Sequence, residues 1–251
     1  MDVFSLKDKR VLISGGGSGI GLAISESIIE AGGQIIMIGR NEANLKTATE
    51  RLGSNAHYVV QDITALAAIP QMVIDIEGRF GPIDVLVNNA GINMKKPSLE
   101  VSDEDFARVL NTNITAAFSL TREVAKGMIS RKAGSILMIS SMAAYYGLDR
   151  VPAYTAAKAA IEGLVKTLAV EWGPHQIRVN AIAPGFIDTA MMQTAMQSDP
   201  ARMNKALGRT SLGYFGKPEH IGHAAVFLSS EAAAYITGVS LRVDGGNAIG
   251  F

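Results

Sequence analysis

Ser14-Gly15-Gly16-Gly17-Ser18-Gly19-Ile20-Gly21 is the stretch from which the fold is read. On its amino side, residues 10–14 are a short apolar run of the kind that forms a buried strand. On its carboxyl side, residues 20–31 carry apolar side chains at helical spacing. Glycines at a strand-to-helix turn let the backbone bend tightly and come close to a ligand. The free N–H groups and the dipole of the helix start then favour a negative charge such as a pyrophosphate. A flexible turn also uses glycines, but the position between the first strand and first helix of an alternating chain makes this a nucleotide-binding loop, through Gly15, Gly17, Ser18, Gly19 and Ile20.

The alternation continues outward from that loop. Strand-like runs, most of them rich in Val and Ile, fall at 10–14, 34–38, 57–61, 83–88, 134–140, 178–182 and 238–243. Helical segments fall at 20–31, 41–52, 103–128 and 153–172. Near-continuous apolar strands are buried on both faces, and strands separated by helices run parallel. The expected architecture is α/β, a doubly wound parallel sheet of seven strands with helices on both sides. Only residues 186–216, Met-rich and without a strand, depart from the rhythm.

Composition bounds the function. With 251 residues and 48% hydrophobic content, the chain can bury a large core, and one domain over 1–251 is expected. Lys plus Arg and Asp plus Glu both number 23, without a charged run, so neither nucleic acid nor an anionic membrane is an expected partner. Small molecules are. There are no cysteines, which excludes disulfides and thiolate chemistry. Residues 1–10 carry charges where a signal peptide needs an apolar core, and no uncharged apolar run is long enough to span a bilayer. The expectation is a soluble cytoplasmic protein. His57, His175, His220 and His223 form no metal set, the last two falling on a solvated helix after Pro218.

The second strand bears on the choice of dinucleotide. NAD binders end it with Asp or Glu, which accepts hydrogen bonds from the adenosine ribose. Here Gly39, Arg40 and Asn41 stand in that place. A glycine leaves room, and a guanidinium forms paired, charge-assisted hydrogen bonds to a 2′-phosphate. The reading is NADP(H), with NAD(H) second, against an ordinary surface arginine opening a helix. A further stretch, Tyr154-Thr155-Ala156-Ala157-Lys158, puts a phenol and an ammonium four residues apart on one helix face. A free tyrosine titrates near ~10. One ammonium about 4 Å away, at an effective dielectric near 20, supplies roughly 4 kcal/mol, enough to lower the phenol by about 3 units. Tyr and Lys at this spacing also occur on exposed helix faces with no such role.

Taken together, these motifs resemble the short-chain dehydrogenase/reductase family. The spacing of Gly15, Gly19 and Gly21 is wider than G-x-G-x-x-G and matches the family's Thr-Gly-x-x-x-Gly-x-Gly, with Ser14 in place of Thr. Asn88-Asn89-Ala90-Gly91, Ser140-Ser141, the Tyr154/Lys158 pair, Pro184-Gly185 and Val243-Asp244-Gly245-Gly246 extend the match over nearly the whole chain. The resemblance implies a Rossmann-type fold and a catalytic set of Asn113, Ser141, Tyr154 and Lys158. Asn113 would kink its helix and hold a relay water; Asn111 competes for that role on the residues alone. Ser141 would bind the substrate oxygen beside Tyr154, while Ser140 supports the strand.

The resemblance places the adenine at Asp62 and Ile63, although a turn aspartate serves there equally. It brings Asn89, Ala90 and Gly91 to the cofactor ribose. The nicotinamide carboxamide would lie at Pro184, Gly185, Ile187 and Thr189, where Thr189 is also a natural helix cap. The family's other basic position, before Gly19, is Ser18, so the NADP reading rests mainly on Arg40. Phe186 joins Ser141 and Tyr154 as a substrate contact, and residues 186–216, with Met191, Met192, Met196 and Tyr214, read equally as a substrate lid or as packing.

The implied reaction moves hydride between the nicotinamide and a secondary alcohol or ketone. The segments 91–97 and 147–150 are similar to those of gluconate dehydrogenase-like members, which implies Lys95 or Arg150 meeting a carboxylate, against the ordinary reading of both as solvated surface charges. A 3-oxoacyl carrier-protein reductase is the competing reading, and a non-catalytic dinucleotide sensor or scaffold is a reading of another class. Ala156, Ala157, Ala159, Ala160 and Gly163 make a small-residue helix face, and the resemblance implies a homotetramer.

Overall fold

The computed structural model describes residues 2–189, 192, 193 and 200–250. Seven strands form it: β1 (Arg10–Ser14), β2 (Gln34–Gly39), β3 (Ala56–Val60), β4 (Val85–Asn88), β5 (Gly134–Ile139), β6 (Ile177–Pro184) and β7 (Ser240–Val243). They make one parallel sheet in the order β3-β2-β1-β4-β5-β6-β7. The chain winds outward from β1 through β2 to β3, then crosses to β4 on the other side of β1. That reversal opens a crevice above the carboxyl ends of β1 and β4, where open α/β sheets bind ligands.

Helices cover both faces: α1 (Gly19–Glu30), α2 (Glu42–Leu52), α3 (Ile69–Phe80), α4 (Asp103–Leu110), α5 (Ala116–Arg131), α6 (Pro152–Trp172), α7 (Pro200–Arg209) and α8 (Pro218–Ser229). The pleat sends successive strand residues to opposite sides. Leu12 and Leu86 join Val73, Val124, Ile161 and Leu168 on the face covered by α3, α5 and α6. Val11, Ile13 and Met37 join Ile24, Ile28, Leu45 and Ile221 on the face covered by α1, α2 and α8. Two cores explain why the strands read as continuous apolar runs. Each fully buried large side chain contributes roughly 1.5–3 kcal/mol.

Two expectations change. The single helix expected over 103–128 is interrupted by a π turn, Asn111–Thr115, between α4 and α5. Asn-Thr-Asn supplies side chains that compete with helical backbone bonds, and the extra residue per turn is the result. The helix after Pro218 is not simply solvated. His223 is exposed on α8, but the opposite face packs on α1, where a Cβ at Gly222 would lie 2.2 Å from Ser27 Oγ. Within 186–216 the described residues add α7 and a single parallel bridge, Ile187 to Gly216; Met191 and Met196 lie outside the described residues. Among the described residues no helix is long and apolar enough to cross a membrane.

Candidate active site

The glycine loop is held by the strand beside it. The buried Ser14 hydroxyl accepts hydrogen bonds from the N–H groups of Asn89 and Ala90, each at 3.1 Å. Asn89 Nδ2 returns bonds to the carbonyls of Ser14 at 3.1 Å and Gly15 at 3.0 Å. Serine therefore fills the threonine position through its hydroxyl. Gly15 is left-handed at φ 69, and a Cβ on Gly21 would sit 2.1 Å from the Gly15 carbonyl oxygen, so the loop and the first turn of α1 touch backbone to backbone. Ser18 occupies the cap position of α1 without donating or accepting a side-chain cap bond, and no acidic residue lies in the first turn. The helix start keeps its N–H groups and its positive end for an anion.

A cleft of about 540 Å³ rises from this loop along the carboxyl edge. Its walls include Gly15, Ser18, Gly19 and Ile20 from the loop, then Arg40, Asp62 and Ile63 from the ends of β2 and β3. Asn89, Ala90 and Gly91 after β4, and Thr189 after β6, complete it. Gly17 and Asn41 line an adjoining recess of about 610 Å³ that Arg40 shares. Asn41 also caps α2, accepting from Asn44 N–H at 3.0 Å. Arg40 is exposed, with Nη1 3.8 Å from Asp62 Oδ2, while Asp62 Oδ1 accepts from the N–H and hydroxyl of Thr64. Those Thr64 bonds, backbone first, hold the Asp62 carboxyl below its ordinary range. The turn role and the cleft-facing role thus use different oxygens.

Farther along, Pro184 ends β6, and Gly185 lies against Asp244, where a Cβ would come within 2.6 Å of the Asp244 Cα. The Phe186 carbonyl accepts from Gly216 N–H at 2.9 Å, and the Gly216 carbonyl accepts from Asp188 N–H at 2.7 Å. The N–H of Ile187 between them has no partner among the described residues. Thr189 Oγ1 accepts from Met192 N–H at 3.2 Å, the capping contact its position suggests.

Ser141 follows the end of β5 and turns the chain: its Oγ accepts from Ala143 N–H at 3.1 Å. Its hydroxyl also lies beside that of Tyr154, on the first turns of α6, and acts to lower it. Lys158, 5% exposed, donates from Nζ to the Ile139 carbonyl at 2.6 Å and lies 5.5 Å from the Tyr154 ring centroid. Asn113 is the buried asparagine of the π turn. Its Oδ1 accepts from Ile92 N–H at 2.9 Å and its Nδ2 donates to the Ile92 carbonyl at 2.8 Å. That pairing separates it from the half-buried Asn111, and it explains Gly91, where a Cβ would meet Asn113 Oδ1 at 2.3 Å.

The electrostatics correct one expectation. The i, i+4 spacing predicts that Lys158 lowers the Tyr154 hydroxyl. Burial instead pushes that hydroxyl up, opposed only by the Ser141 bond, and it is Lys158 that burial pulls down to about 8. Both groups give up water, and the ammonium points to a carbonyl rather than to the phenol oxygen. Gln61, Thr64, Ile92 and Thr112 also line the cleft and were not singled out in the sequence. Gln61 and Thr64 flank Asp62 at the carboxyl end of β3, which is the signal that marks them.

The fold and this edge define a dinucleotide-type oxidoreductase. A family model described as enoyl-(acyl carrier protein) reductase matches residues 15–248. Gluconate 5-dehydrogenase of Gluconobacter oxydans is 37% identical over 98% of this chain and 96% of its own length. The 5-keto-D-gluconate 5-reductase of Escherichia coli K12 is 38% identical over 98% and 97%. The solved gluconate 5-dehydrogenase of Burkholderia cenocepacia, in complex with NADP and tartrate, superposes with a TM-score of 0.95 at 33% identity, covering 100% of this chain and 99% of its own. The chain belongs to the short-chain dehydrogenase/reductase family.

Proposed function

We propose that this protein is an NADP(H)-dependent oxidoreductase that interconverts a keto group and a secondary alcohol on a small sugar acid, with Tyr154 as acid and base. The observation that carries the reading is that Ser141, Tyr154 and Lys158 gather at the carboxyl end of β5, on the same edge of the sheet as the cleft whose floor is the uncapped start of α1. The residues fit the cofactor. The bare helix start suits the pyrophosphate, the glycines admit it, and the unpartnered N–H of Ile187 suits the carboxamide. The names of the relatives support the substrate class.

When bound, the reduced cofactor supplies a hydride to the carbonyl carbon. Tyr154 then donates its proton to the developing alkoxide, and the Ser141 hydroxyl hydrogen-bonds the same oxygen and orients it. A hydroxyl pushed up by burial is fully protonated near neutrality, which suits the reducing direction. In oxidation the same oxygen takes the proton back. Lys158 stays beside the phenol and holds the cofactor ribose. Both ends of the Asn113 side-chain amide are paired with the Ile92 backbone, which fixes the π turn against the segment after β4.

Arg40 reads the 2′-phosphate. Charge-assisted bonds of this kind contribute about 1.5–3 kcal/mol, or roughly 10- to 100-fold in affinity. Arg40→Asp should weaken NADPH relative to NADH by that factor in a direct binding titration, and an unchanged ratio would remove Arg40 from the role. Lys95 and Arg150 are exposed on the loops after β4 and β5, which the Lys96 N–H to Arg150 carbonyl bond of 2.7 Å ties together, and one of them meets the substrate carboxylate.

The same reading treats 1–251 as one catalytic domain with 186–216 as its substrate lid. It places the protein in the cytoplasm as a homotetramer, and Ala156, Ala159, Ala160 and Gly163 are exposed along α6 as a subunit contact requires. The test is NADPH oxidation with 5-keto-D-gluconate, a neutral ketohexose and an acetoacetyl thioester. Turnover of the keto acid over the neutral sugar is expected. Turnover of the thioester alone would make the protein a carrier-protein reductase, and nucleotide binding without any turnover would make it a sensor.

A further inference from the structure

Glu162 lies on α6 one turn beyond Lys158 and two beyond Tyr154, on the same side of the helix. Its carboxylate gathers three hydroxyls from separate parts of the chain. Ser140, 2% exposed, donates to Oε1; Ser240 of β7 donates to Oε1 at 3.0 Å; Tyr145 donates to Oε2 at 3.2 Å. Ser140 immediately precedes Ser141, and its own N–H is fixed by the Ile182 carbonyl at 2.7 Å. Tyr145 belongs to the loop that runs from Ser141 to Tyr154, and the Arg242 guanidinium lies 5.6 Å from its ring centroid. One carboxylate thus ties the end of the catalytic strand, the loop bordering the substrate and the edge strand to the helix that carries Tyr154.

We propose that Glu162 is a positioning residue for the reaction described above, on whose reading it rests. Through Ser140 it sets the direction of Ser141 at the end of β5, and through Tyr145 it holds the loop that bounds the substrate. Neither contact touches the cofactor cleft, so the effect falls on the chemical step and on substrate, not on dinucleotide. Misplacement of a catalytic group by about 1 Å costs on the order of 100-fold in rate.

The test uses the full chain with NADPH and 5-keto-D-gluconate. Glu162→Ala should lower kcat about 10- to 100-fold with the NADPH dissociation constant within about twofold of the unaltered protein. Glu162→Gln should recover most of the loss, because the amide oxygen still accepts from Ser140 and Ser240. In a Ser141→Ala background, Glu162→Ala should lower kcat by less than about threefold more, since the route through Ser140 then has no Ser141 hydroxyl left to position, and what remains through Tyr145 falls on KM. If Glu162→Ala fails to fold, Ser140→Ala breaks the same link and carries the same two expectations for kcat and for the Ser141→Ala background. Losses that multiply in that background, a Gln variant no better than Ala, or kcat within about threefold of normal would overturn the proposal while the functional reading stands. No turnover by the unaltered protein on any of the three carbonyl substrates would overturn both.

Discussion

Replacing Tyr154 with phenylalanine should lower kcat by about 1,000-fold or more while NADPH still binds within about threefold of normal. The change removes one oxygen atom and leaves the ring in place. That oxygen is carried by the helix that also bears Lys158 and lies beside the Ser141 hydroxyl. Without it the alkoxide formed on hydride addition has no proton donor, and general acid–base catalysis of that kind contributes about 10²- to 10⁴-fold. The cofactor cleft is built from the loops after β1, β2, β3 and β4 with Thr189 after β6, and Tyr154 does not line it, so its affinity is expected to hold. Steady-state kinetics together with a fluorescence titration of NADPH would check both halves, and near-normal turnover would remove Tyr154 from the mechanism.

Lys158→Met should move activity and stability in opposite directions. Turnover should fall by at least about 100-fold, because the proposed mechanism needs the ammonium beside the phenol to hold the ribose. Stability should rise. An ordinary lysine titrates at 10.5, and burial pulls Lys158 down to about 8 in the folded protein, so folding weakens its hold on the proton. Between those values the unfolded chain binds more protons, and stability therefore climbs with pH across the window. Below about 8 both states are charged, and the full penalty of burying the ammonium stands, on the order of 3 kcal/mol. Methionine removes the penalty at the loss of one hydrogen bond to the Ile139 carbonyl. The melting temperature near pH 7 is expected to rise by a few degrees, and the gain should shrink as pH is raised toward 10. A melting temperature that falls, or a gain independent of pH, would contradict the buried charge as the cause.

Much of this was legible in the sequence because it rests on local rules. Strand and helix alternation fixed the parallel sheet, and the strand–glycine–helix junction at Gly15 to Gly21 marked the crevice. Arg40 after β2 and the spacing of Tyr154 and Lys158 are likewise readable from neighbours along the chain. What was not legible depends on contacts between distant segments. The sign of the Tyr154 shift follows from burial, which is not visible in a five-residue motif. The choice of Asn113 over Asn111 needs the backbone of Ile92, and the purpose of Gly91 needs Asn113 in turn. Glu162 reads as one more charge on a mixed helix until Ser140, Tyr145 and Ser240 are seen around it.

Isotope transfer puts hydride delivery beside Tyr154 to its hardest trial. NADPH carrying deuterium at one or the other C4 position would be incubated with 5-keto-D-gluconate and the product examined for label at the new carbinol carbon. The unaltered protein should place deuterium there from one C4 position and not the other, and Tyr154→Phe should place almost none in the same time. A reduced product without the label, or equal labelling by the phenylalanine variant, would contradict the mechanism.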